Sequence, residues 1–71
     1  MTHAAVRVIH RFGWSPESLQ EILETIRELN LKGRESFGAL RFRNVPYRER
    51  WITVVTDYQR VFVVTVYERK E

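Results

Sequence analysis

One apolar set constrains this chain more than any other feature. Leu19, Ile22, Leu23, Ile26 and Leu29 fall at i, i+3, i+4, i+7 and i+10, so a single stripe of a helix carries them all. Glu17, Gln20, Glu21, Glu24, Arg27 and Glu28 take the other side. The start is marked chemically. Ser15 suits the N-cap, Pro16 the first helical position, and Glu17 the positive end of the helix dipole. Asn30 through Gly33 end the pattern. It predicts a helix over about 16–30 whose stripe must be buried against another element.

The rest of the chain supplies that element. Downstream the apolar period falls from 3.6 to 2, and Val, Thr and aromatic residues become frequent. Leu40 and Phe42 alternate with Arg41 and Arg43. Strands are predicted over about 37–43, 50–56 and 61–67, forming a three-stranded antiparallel sheet. Asn44-Val45-Pro46-Tyr47 reads as a turn, because Pro46 has no N–H to give to a ladder. Asp57-Tyr58-Gln59 reads as a tight hairpin connection. Pairing Thr56 with Arg60 places Ile52, Val54, Phe62, Val64 and Val66 on one apolar face that receives the helix. Trp51, Thr53, Val55, Val61, Val63, Thr65 and Tyr67 then share the other face with Arg41 and Arg43. A slip of one residue would exchange these sets on one strand.

The opening segment admits two readings. As a helix over about 3–12, closed by Gly13, it groups His3, Arg7, His10 and Arg11 within an arc of about 100°. Ala5, Val8, Ile9 and Phe12 then face the core. As a strand over residues 5–12, the fold would be β-α-β-β-β and His10 would leave that face. The expected fold is α+β: two N-terminal helices packed on one face of the sheet, as a single domain over residues 1–71.

Composition excludes several classes of function. The hydrophobic content of 44% argues for a folded domain rather than a disordered one. With no cysteine there is neither a disulfide framework nor a thiolate metal site. A Gly-rich phosphate loop, a paired-carboxylate site, a His/Cys metal spacing and a nucleophile elbow are all missing from the sequence, so no cofactor and no metal are expected. No apolar run is long enough to cross a bilayer, and Arg7, His10 and Arg11 interrupt any secretory core. The expected compartment is the cytoplasm, with no membrane partner. The net charge of +3 is unevenly placed. Residues 1–33 carry four basic and four acidic groups, whereas residues 34–71 carry eight basic against five acidic. Ten of the twelve basic residues are arginine, the side chain suited to bidentate contacts with phosphate or carboxylate.

His3-Ala4-x-x-Arg7-x-x-x-Arg11-Phe12-Gly13, followed by a capped helix, resembles the opening of a family of small phage and mobile-element proteins of unknown function. Those proteins close with a strand ending in a Thr-Val-Tyr-like motif, matched here by Thr65-Val66-Tyr67. The helices-then-strands layout also resembles the RelE/barnase-like ribonuclease fold, whose open sheet face binds RNA and cuts it without metal. The resemblance implies that His3, Arg7 and Thr65 belong to a functional site.

Read as chemistry, metal-free RNA cleavage needs a base, an acid and cations on the developing phosphorane charge. His3 and His10 are the candidate catalytic pair. Arg7, Arg11, Arg41 and Arg43 are candidate phosphate contacts, with Thr65 beside them. Trp51 and Tyr67 are candidate stacking platforms. The simpler alternative is a solvated helix that contains two histidines. The cluster of Arg41, Arg43, Arg48 and Arg50 either lines an anionic groove or protects an edge strand from aggregation. The expected function is a small binding protein from a phage or mobile element engaging an anionic partner, foremost RNA, with a RelE-like ribonuclease as its enzymatic form. The alternative is an inhibitor that binds a host nucleic-acid-binding protein such as a polymerase or nuclease. A homodimer through a sheet edge is a further possibility.

Overall fold

The computed structural model describes residues 2–68. Helix α1 (His3–Arg7) opens the chain, capped by the Thr2 hydroxyl, which accepts the Ala5 N–H at 3.1 Å. It runs directly into a π-helical turn over Val8–Phe12, which ends at Gly13 in the left-handed conformation (φ 70°). The opening segment is therefore helical, and the strand alternative is overturned. The wider turn fits the sequence, because Trp14 N–H reaches back to the Val8 carbonyl at 3.0 Å while the Trp14 ring packs into the core.

Helix α2 (Ser18–Glu28) starts two residues later than the pattern suggests. Pro16 and Glu17 form a tight turn whose carbonyls accept the N–H groups of Leu19 and Gln20. Ser15 contributes its carbonyl, to Ser18, rather than a hydroxyl cap. At the other end Asn30 adopts a positive φ of 52°. Asn30 N–H bonds to Arg27 and Leu31 N–H to Ile26, the paired bonds of a Schellman stop. This stop turns Leu29 into solvent and packs Leu31 against the core in its place. Ile22, Leu23 and Ile26 are buried as their spacing requires.

Among the described residues four strands follow, not three: β1 (Arg34–Ser36), β2 (Ala39–Tyr47), β3 (Arg50–Thr56) and β4 (Val63–Glu68), in the antiparallel order β1-β2-β3-β4. The expected strand over 37–43 is corrected at both ends. Phe37 and Gly38 form the β1–β2 turn with φ of 48° and 81°, so the residues before them fold back as β1. Beyond Arg43 the strand does not stop. A bulge between Phe42 and Val45 absorbs one extra residue, and β2 continues through Pro46 to a two-residue turn at Arg48-Glu49. Pro46 is tolerated because it belongs to a non-hydrogen-bonded pair with Trp51, so its nitrogen faces outward, and β1 covers only Ala39–Arg41.

The β3–β4 connection is also wider than a tight turn. One Asp57 carboxylate oxygen accepts the N–H groups of Val61 (2.8 Å) and Phe62 (3.1 Å), which holds residues 57–62 as a loop. A second bulge then gives Val54↔Val66 and Val55↔Thr65, but Thr56↔Val63. Ile52, Val54 and Val66 point into the core as expected. Phe62 and Val64 are exposed and Val63 is buried, because the bulge exchanges faces at that point.

The core lies between the helices and one sheet face. Ala4, Val8, Ile22, Leu23 and Ile26 meet Phe42, Val45, Ile52, Val54, Val63 and Val66 there. Apolar burial of this kind is the main force holding the layers together. Among the described residues no helix lies on the opposite face of the sheet.

Candidate nucleic-acid interface

Strand alternation settles what the uncovered face carries. Arg34, Arg41, Val55 and Thr65 form one row across all four strands. Thr53 and Tyr67 pair in the next row, and Pro46 and Trp51 in the row beyond. Arg43 stands one step past Phe42, on the same side as Arg41. Trp51 is 54% exposed and Tyr67 39%. No carboxylate projects from this face among the described residues. Glu35 pairs with Leu40 and Glu68 with Ile52, on the helix side, while Glu49 and Asp57 lie in turns.

Arg34 and Arg41 stand directly opposite each other. Like charges in that position repel and cost a cross-strand pair of order 0.2–1 kcal/mol. Neither they nor Arg43 join the ion pairs seen among the described residues, which are Arg48–Glu21 and Arg50–Glu68, each at 3.9 Å. A bridging anion would turn that repulsion into attraction.

The opening helix borders this face. α1 runs alongside β4, the sheet's edge strand. Arg7 Nε donates to the outward-facing Val66 carbonyl at 2.5 Å, and its guanidinium lies 4.6 Å above the Tyr67 ring. One guanidinium thus closes the sheet edge at Val66 and stacks on the aromatic. Its two terminal NH2 groups keep donors for a ligand, with their direction already fixed. Arg7, Arg11, Phe12, Tyr67 and Glu68 line a recess of about 270 Å³ beside it. The π turn matters here. More residues per turn bring Arg11 closer to the direction of Arg7 than a regular α-helix would.

Of the residues singled out from sequence, Arg7, Arg11 and Tyr67 therefore come together, and Arg41, Arg43, Trp51, Thr65 and Tyr67 share one face. Arg7 is half-buried rather than freely exposed, because β4 holds it. His3 and His10 are both exposed and about 10 Å apart along the helix axis. Neither imidazole makes a hydrogen bond among the described residues, and the structure does not bring the two together. Thr65 is only 6% exposed, and its hydroxyl has no hydrogen-bond partner among the described residues.

The four-arginine cluster divides. Arg48 and Arg50 sit at the far end of the sheet, on the helix side. Arg48 lies 6.0 Å from the Trp14 ring centre and 5.4 Å from that of Tyr47, and Arg50 5.9 Å from that of Phe12. Phe12 stacks on Trp14 at 4.5 Å, Trp14 meets Tyr47 edge-on at 5.0 Å, and the Tyr47 hydroxyl donates to Glu21. Burial and the Glu21 hydrogen bond raise the Tyr47 pKa, against the opposing pull of Arg48. These contacts make Arg48 and Arg50 part of the packing rather than of the open face.

Sequence reasoning missed Arg34, because a three-residue strand leaves almost no periodic signal. Gly38, four residues after Arg34 and three before Arg41, was the available hint of a hairpin. Among the described residues there is no cluster of three or more His, Asp or Glu side chains arranged to hold a metal ion, and no helix long and apolar enough to cross a membrane. Compared with protein-family models, with curated proteins and with solved structures, the chain matches none of them.

Proposed function

We propose that this chain binds single-stranded RNA across the uncovered face of its sheet. One observation carries the reading: Arg34 and Arg41 stand directly opposite each other on a face without a carboxylate among the described residues. Exposed Tyr67 and Trp51 stand farther along the same face, and bases that are free of a duplex stack on such rings for about 1–3 kcal/mol each. Arg43 and the fork of Arg7 extend the cationic track. The two motifs of the phage and mobile-element family add support, since Arg7 of the opening motif stacks on Tyr67 of the closing one. On this reading the chain is a binding protein first. Cleavage would need a base and an acid at one phosphodiester, and His3 and His10 stand two helical turns apart.

The test pairs affinity with stability. A fluorescently labelled 12-nucleotide single-stranded RNA is titrated with wild type, Arg34→Ala, Arg41→Ala and Trp51→Ala, across a series of salt concentrations. Each arginine change is expected to weaken binding and to shallow the salt slope by about 0.7 per lost phosphate contact. Arg34→Ala is also expected to leave thermal stability unchanged or slightly higher, because it removes a repulsion. Equal affinity of wild type and an Arg34→Ala/Arg41→Ala double variant at low salt would overturn the proposal. Electrophoresis of the same RNA after incubation reports whether the bound strand is also cut.

A further inference from the structure

A second surface lies on the helix side of the molecule. The starts of α1 and α2 and the loop entering β4 enclose an open groove of about 420 Å³. Leu23 and Val63 form its buried floor, and Leu19 and Pro16 one wall. The other wall is Val61 and Phe62, which are 58% and 59% exposed.

That wall is held in place rather than left loose. Asp57 fixes the N–H groups of both residues through one carboxylate oxygen, and Asp57 N–H meets the Phe62 carbonyl at 3.4 Å. The Arg27 guanidinium reaches across from α2 to the Arg60 carbonyl at 3.2 Å. The loop's polar groups are thus engaged in presenting two large apolar side chains to water. A contact surface ordered in advance loses little entropy when it is covered.

The charge around the groove is opposite to that of the uncovered sheet face. Glu17 just before α2, and Glu21, Glu24 and Glu28 on it, stand against Arg27, with Glu21 engaged by Tyr47 and Arg48. Glu17 lines the groove, and Glu24 stands one helical turn beyond the groove-lining Gln20, so both lie on its α2 side. Arg27 and Arg60 stand at the loop end, so the acidic character belongs to the α2 side of the groove. A segment with an apolar stripe flanked by lysine or arginine is attracted. Addition of a long partner strand is not favoured, because Arg7 occupies the Val66 carbonyl on the β4 edge, and the other edge strand, β1, is only three residues long, with a bulge and Pro46 in β2 beyond its end. A partner must therefore bring a dense row of side chains, which a helix supplies.

We infer that this groove binds a basic amphipathic helix of a partner protein, with its apolar stripe against Leu19, Leu23, Val63 and Phe62 and its lysines or arginines facing Glu17 and Glu24. The inference does not rest on the RNA reading, since it uses the opposite side of the molecule. It is tested with a displayed library of 16-residue helices in which one apolar stripe is fixed and the flanking positions are random. Selection on the full chain is expected to enrich lysine and arginine beside the stripe. Binding of the enriched helices is expected to fall at least tenfold in Phe62→Asp, whose fold is checked by its melting transition. In Glu17→Lys/Glu24→Lys the preference is expected to turn toward acidic flanks. An unenriched library, binders indifferent to Phe62→Asp, or acidic flanks selected by the wild type would each overturn the inference.

Discussion

Replacing Thr65 by valine tests the stability of the domain separately from the proposed binding. The Thr65 hydroxyl is buried and has no hydrogen-bond partner among the described residues. A polar group stripped of water without a replacement bond costs about 1–3 kcal/mol. Valine has nearly the same shape, suits a strand equally well, and removes that cost. Thr65→Val is therefore expected to stabilise the domain by about 1 kcal/mol, a rise of about 4–8 °C in Tm for a chain of this size. Thr65→Ser keeps the hydroxyl and loses a methyl group, so it is expected to lower stability by about 0.8 kcal/mol. The hydroxyl shares a row with Arg34 and Arg41 but is closed off from solvent, so a ligand lying on that face does not reach it. In the RNA titration Thr65→Val is accordingly expected to leave binding unchanged, in contrast to Arg34→Ala and Arg41→Ala. Calorimetry and urea denaturation read the first effect, and fluorescence anisotropy the second. A Thr65→Val protein less stable than wild type by more than about 0.5 kcal/mol would refute the reasoning, because it would show the hydroxyl to be bonded in the free protein.

Two further expectations concern the framework. At Gly33 an added Cβ would lie 2.8 Å from Phe42 Cζ and 3.1 Å from Leu40 Cβ, and Phe42 is fully packed. Gly33→Ala is expected to cost about 1–3 kcal/mol in urea denaturation, and a neutral result would show that the ring has room to shift. Around Asp57, burial works to raise the pKa, but hydrogen bonds from Phe62, Val61 and Gln59 and from its own amide outweigh it and hold the carboxyl low. A group held low in the fold contributes stability above its unfolded pKa, about 3.9, and loses it as pH falls through the folded value. The stability gap between wild type and Asp57→Ala, measured from pH 7 down to pH 2, is expected to narrow below about pH 4, and a gap constant over that range would count against the carboxylate's role.

Patterns of side-chain type were legible in the sequence where the backbone is regular. The α2 stripe placed Ile22, Leu23 and Ile26 correctly, and alternation placed Ile52, Val54 and Val66 inward with Trp51, Arg41 and Tyr67 outward. The departures all occur where the backbone leaves its period. Asn30 stops the helix with a left-handed residue, so Leu31 rather than Leu29 reaches the core. The β2 bulge carries the strand past Asn44, and Pro46 is harmless only because no strand lies on that side of it. The β4 bulge exchanges Val63 and Val64. A bulge depends on long-range pairing, and its local sequence signal is weak. For the same reason the partnership of Arg7 with β4 was invisible, since it joins residues 59 positions apart.

The division of charge between the two sides has a consequence before any contact is made. A molecule with arginines on its sheet and glutamates on α2 has a directional electrostatic field. Near a polyanion that field exerts a torque as well as a pull, turning the sheet forward during approach. Orientation during diffusion raises the fraction of productive collisions, most strongly at low ionic strength, where the Debye length exceeds the molecule's 24–27 Å dimensions. Once seated, each copy would show the solvent its glutamates. If the chain covers RNA as proposed, a further layer would meet this mixed side of glutamates and paired arginines rather than the strand, so the pull that seats the first layer would not extend to a second.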